Sequence, residues 1–191
     1  KACALDPLFC THNGDILGTT KELSPEQQVS FFRKNCKVGS MRACYILGLK
    51  HRDGDGTPKN KERAVELFRQ TCDEQFDVGC VELGFALSEG AGAEKDVTKA
   101  AELFRQGCSG GVALGCHNLA FAYHDGKGVD ENASLATEYY EAACKLKRAG
   151  SCQALGFRYY DGVGAVKDKD KAMSFMVKAC EYGGQQGCEL G

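Results

Sequence analysis

No window of the chain approaches the roughly twenty consecutive apolar residues that a membrane-spanning helix needs, so no span is expected. Charge of one sign is missing too. With 24 basic and 26 acidic residues the net charge is −2, and no long run of either sign occurs, which removes the electrostatic footprint of a nucleic-acid or anionic-membrane binder. Among 12 cysteines there is no C-x-x-C, the spacing that structural zinc, thioredoxin-type redox sites and c-type haem attachment use. The chain also lacks an initiator methionine and any leader of positively charged, apolar and small-residue segments. It reads as a processed or trimmed product, for which a missing export signal argues nothing against export.

What the chain has in excess is periodic cysteine. Cys36, Cys72, Cys108, Cys144 and Cys180 recur every 36 residues, and each is followed eight residues later by Cys44, Cys80, Cys116, Cys152 or Cys188. A period in this range marks a solenoid, whose units cannot bury their own apolar faces and must stack. An even count in regular pairs predicts disulfides, Cys36 to Cys44 and so on along the chain, and persistent disulfides predict an oxidising compartment. The periplasm or secretion is expected, with the mitochondrial intermembrane space as the alternative address. A Cys3 to Cys10 bridge is expected as well, although that pair is seven apart.

Superposing the units aligns more than cysteine. Leu47, Leu83, Leu119 and Leu155 come next, then the small residues Gly48, Gly84, Ala120 and Gly156, then Leu49, Phe85, Phe121 and Phe157. Cysteine, leucine, small residue and the position of His51, Leu87, Tyr123 and Tyr159 fall at i, i+3, i+4 and i+7, one face of a helix A. Each helix A meets a turn of the type Asp125-Gly126-Lys127-Gly128, whose first glycine suits a left-handed C-cap. Asn60, Asp96, Asn132 and Asp168 then read as N-caps of a helix B, and Ser24 as another, with Pro25 and Gln27 completing a capping box. Helix B presents Ala64, Leu67 and Phe68, and their equivalents in later units, at i, i+3 and i+4. It ends at one cysteine and the next helix A starts at its partner, so each bridge spans an inter-helix turn.

The prediction is therefore all-α: a solenoid of 36-residue helix-turn-helix repeats with one disulfide each, forming a single domain over 1–191. Residues 1–23 read as a divergent N-terminal unit or cap, and the repeats run from about 24 to 188.

The end of helix B, Ala136 through Cys144, and the stretch from Cys152 through Gly164 carry A-x-x-x-[FY]-x-x-A-C, L-G-[FY] and D-G-x-G. These resemble the Sel1-like repeat family, and C-x7-C in every unit resembles its disulfide-rich form, the Helicobacter cysteine-rich proteins. The resemblance covers about residues 24 to 188. It implies a right-handed αα superhelix related to tetratricopeptide arrays and a role in holding proteins or peptides. Alternatives it implies are a slow β-lactam hydrolase or penicillin-binding protein, and a mitochondrial assembly factor of the intermembrane space.

Serine-based β-lactam chemistry needs a lysine three residues beyond the nucleophile, and no S-x-x-K is present. The four histidines are scattered, and His117 and His124, two helical turns apart, are too distant to share an ion unaided. Asp53-Gly54-Asp55-Gly56 lacks the further ligands of a calcium loop. Cys180 has a partner in Cys188, whereas a nucleophile must be a free thiolate. No catalytic residue, cofactor or metal is assigned. The remaining expectation is a non-enzymatic scaffold for a protein or peptide, with no nucleic-acid partner and a monomer as the expected state. It would use a helix A strip that runs from Tyr45 and Arg52 through Val81 and Ser88, His117 and His124, to Gln153 and Tyr160. Tyr45, Arg52, His117, His124 and Tyr160 are the candidate contacts, since Tyr and Arg dominate binding hot spots.

Overall fold

In the computed structural model, residues 20 and 22–184 are described. They contain no strand and nine helices of thirteen residues: α1 (Pro25–Lys37), α2 (Met41–Asp53), α3 (Lys61–Asp73), α4 (Asp77–Glu89), α5 (Val97–Ser109), α6 (Ala113–Asp125), α7 (Ala133–Lys145), α8 (Ala149–Asp161) and α9 (Lys169–Glu181). The A helices are α2, α4, α6 and α8. The odd-numbered helices are B. Each helix packs on its sequence neighbours, and α4 also reaches α6, the nearest-neighbour connectivity of a solenoid.

The caps form as the side chains dictate. Asn60, Asp96, Asn132 and Asp168 each accept from the backbone N–H three residues on, satisfying a donor that helix geometry leaves free. Ser24 and Gln27 make the reciprocal capping box, with Pro25 at the first helical position. The A helices, however, start three residues earlier than the cysteine pattern suggests, at Met41, Asp77, Ala113 and Ala149. Three-residue linkers reverse the chain through one left-handed residue each, Gly39, Gln75, Gly111 or Lys147, which lets the new helix begin at once.

Each disulfide therefore ties the last turn of a B helix to the first turn of the next A helix. Four are described, Cys36–Cys44, Cys72–Cys80, Cys108–Cys116 and Cys144–Cys152, with Cα atoms 4.4–4.8 Å apart. Cys180 is also disulfide-bonded. Its expected partner Cys188, the Cys3 to Cys10 bridge and most of the N-terminal unit lie outside the described residues.

Within a unit, the small residue of helix A admits a large one from helix B. A Cβ built on Gly48 would lie 2.6 Å from the Phe68 ring, on Gly84 2.8 Å from Phe104, and on Gly156 2.6 Å from Met176. Between units the contact falls to the second glycine of the turn. Gly128 has φ +75°, and a Cβ there would lie 2.0 Å from the Val97 carbonyl oxygen at the start of α5. Gly56, Gly92 and Gly164 meet the starts of α1, α3 and α7 in the same way. The first glycine caps its own helix, while the second is where one unit's turn rests on the preceding unit's B helix.

Candidate functional site: a recess repeated along the A helices

The strip read from the sequence divides into two columns with different surroundings. In the first, Val81 is buried at 1% exposure, Tyr45 packs on Phe68 and Phe76, and His117 lies edge-on to Tyr140. His117 Nδ1 is 2.8 Å from Ser151 Oγ on α8, so this column joins neighbouring A helices. Gln153, the fourth member, is half-buried. The second column is open: Arg52 and Ser88 are half-buried, and His124 and Tyr160 are exposed.

Beside that second column stands an aromatic ladder. Phe85 is half-buried, Phe121 is 44% exposed and Phe157 53%. These residues follow the small position by one, about 100° around the helix from it, and so fall off the i, i+3, i+4, i+7 stripe. The sequence supplied this signal, since the stripe already excluded them.

Three recesses follow one another along the ladder. The first, about 440 Å³, is lined by Arg52, Phe68, Glu82, Phe85 and Glu89 among others. The second, about 230 Å³, takes in Phe85, Ser88, Asn118, Phe121 and Lys127. The third, about 280 Å³, is formed by His124, Tyr140, Ala154, Phe157, Arg158, Asp161 and Val163. They are one recess reiterated: Glu82, Asn118 and Ala154 are repeat equivalents, as are Phe85, Phe121 and Phe157, and Arg52, Ser88 and His124. Hollows of about 610 and 400 Å³ also lie along α3 and α7, but no aromatic position repeats between their walls. The second and third recesses have the apolar walls with a few polar groups that usually mark a ligand site, whereas the first is rimmed by charged side chains such as Arg52, Lys59, Glu82 and Glu89.

Electrostatics differ from one recess to the next. Arg52 Nη1 donates to Glu82 Oε2 at 2.7 Å and Nε to Asp53 Oδ1 at 2.8 Å. Burial raises the Glu82 carboxyl pKa, and the Arg52 charge opposes that. Burial, with Arg148 adding like charge, lowers the His117 pKa to about 4, so this imidazole is neutral near pH 7. The Ser151–His117 pair has the outline of a nucleophile and its base. Ser151 is nevertheless fully buried and the imidazole is too weak a base, so the pair serves packing. Among the described residues no three His, Cys, Asp or Glu side chains converge to hold a metal, and no described helix is long and apolar enough to cross a membrane.

Helical hairpins stapled in series, with a recess repeated three times along the A side, define a repeat scaffold. The Sel1 repeat model matches residues 42–76, 78–112, 113–147 and 149–183, and the chain belongs to the Sel1 repeat family. Among solved structures it is similar to a protective antigen of uropathogenic Escherichia coli with an SLR fold, at 24% identity and TM-score 0.82, covering 90% of this chain and 37% of that one. A Sel1 repeat protein from Oxalobacter formigenes gives 22% identity and TM-score 0.80, covering 86% and 65%. Cysteine rich protein B of Helicobacter pylori gives 28% identity and TM-score 0.56, covering 68% and 93%. The chain thus spans little more than a third of the first structure and 65% of the second. No curated protein matches it.

Proposed function

We propose that the protein is a non-enzymatic scaffold that holds a protein or peptide segment along its A helices. The observation that carries this is the recurrence of one recess in three successive units, with apolar Phe85, Phe121 and Phe157 in register. Such a ladder suits an extended segment, whose side chains repeat along a line as the recesses do. Arg52, His124 and Tyr160 contact the segment from the rim, while Tyr45 and His117 act two turns earlier by fixing the spacing of adjacent A helices. The disulfides and the likeness to the Helicobacter protein point to an extracytoplasmic protein, and periplasm or secretion is the reading we adopt.

The test is selection of peptides from a displayed library on the oxidised protein, followed by Phe121→Ala and by the Arg52→Ala/Tyr160→Ala pair. All three side chains are partly solvent-exposed, so the solenoid should stay folded while capture weakens about tenfold or more for a hot-spot loss. Peptides whose binding none of these changes affects would refute the groove.

A further inference from the structure

The third recess contains a buried cation with no anion. Arg158 is 6% exposed. Its Nε donates to Thr137 Oγ1 at 2.8 Å and its Nη2 to the Ala133 carbonyl at 2.6 Å, while the guanidinium lies 5.7 Å from the Tyr140 ring centroid. No carboxylate among the described residues lies within ion-pair distance of it, although Asp161 lines the same recess. The Tyr140 hydroxyl likewise makes no hydrogen bond among the described residues, and it is not sealed from solvent.

The repeat supplies its own comparison. Arg158 occupies the position of Lys50, Ala86 and Ala122 in earlier units. Lys50 is also buried, but its Nζ meets Asp55 Oδ2 at 2.6 Å. The equivalent of Asp55 in the last described unit is Val163. A buried charge normally carries its partner with it, and here the cation has been kept while the built-in carboxylate has been replaced by an apolar wall.

We propose that this recess takes the carboxylate from outside, as a peptide's C-terminal residue, with the α-carboxylate on Arg158 and the Tyr140 hydroxyl. His124 closes the rim, and Ala154, Phe157 and Val163 receive an apolar side chain. A volume of about 280 Å³ matches one residue rather than a folded domain. A guanidinium held by Thr137 and Ala133 is pre-oriented for a planar carboxylate. The proposal rests on the peptide groove described above, in which this recess would be the end stop.

The experiment titrates the oxidised protein with N-acetyl-leucine and, separately, N-acetyl-leucinamide, following the Arg158 Nε–H and the α8 amides by NMR. The acid is expected to shift these signals in the millimolar range and the amide to leave them in place, since the charge-assisted bonds are lost. Val163→Asp restores the Lys50–Asp55 arrangement internally and should weaken the acid about tenfold or more. Tyr140→Phe, which removes one hydroxyl without touching the Arg158 supports, should weaken it by a smaller factor. Equal response to acid and amide, or an unchanged response in Val163→Asp, overturns the proposal. The small acid reports on the recess alone. Peptide selection reports on the groove, so failure of one is distinguishable from failure of the other.

Discussion

Replacing Gly128 by alanine should cost far more than replacing Gly126 two residues away, although both glycines have positive φ, +75° and +65°. For Gly126 the nearest atoms to a new Cβ are on Glu131 at 3.6 Å, an ordinary contact, so only the left-handed backbone penalty of about 1–2 kcal/mol applies. For Gly128 the same penalty is joined by a collision, because the Cβ would lie 2.0 Å from the Val97 oxygen and 2.5 Å from its carbonyl carbon. Backbone cannot rotate aside as a side chain can. Relieving it means lifting the turn off α5, an overpacking cost of about 1–3 kcal/mol or more. The expected total is about 2–5 kcal/mol, against about 1–2 for Gly126→Ala. In a chain of this size that difference separates the melting temperatures by several degrees. Thermal and urea unfolding of the two variants, with disulfides intact and circular dichroism as readout, measures it. Equal destabilisation would show that the second glycine serves only its backbone conformation and that the unit-to-unit contact has been misjudged.

Removing one staple with Cys108→Ser/Cys116→Ser should cost about 2–3 kcal/mol on the chain-entropy model, and the single Cys116→Ser change should be worse because the stray thiol can exchange with the other bridges. The His117 pKa lies below that of the unfolded chain, so its contribution is complete above about pH 6.5 and lost as pH falls towards 4, where the unfolded imidazole takes a proton and the folded one does not. Allowing for its partial exposure, that loss is about 2 kcal/mol, and urea unfolding of His117→Gln at the two ends of this window should show a correspondingly smaller change than wild type. Arg52→Gln should push the already raised Glu82 pKa higher, since a favourable charge at 2.7 Å disappears. Carbonyl NMR titration of Glu82 checks this, and an unmoved pKa would show that Arg52 does not hold that carboxyl.

Much of this molecule follows from local rules, which a single unit already displays. Asn132 caps α7 because an Asn side chain can accept from a free helix N–H. Gly126 ends α6 in a left-handed conformation because it has no Cβ. Leu119 and Leu155 are fully buried because they lie on the face that cysteine and the small residue mark out. A 36-residue period then dictates the cysteine pairing, since the same two ends meet in every unit.

The surface between units obeyed no such rule. Packing between successive units decides which columns close. It buried Val81 and engaged His117 with Ser151, 34 residues away, though both had the spacing of a free strip. It left Phe121 and Phe157 in the open. The sequence by itself determined the solenoid, its caps, its staples and its buried stripe, because those depend on helix periodicity and on contacts between residues close in sequence. Only the tertiary structure decided where the recesses lie and that Arg158 stands buried in one of them, because both depend on which side chains neighbouring helices bring together.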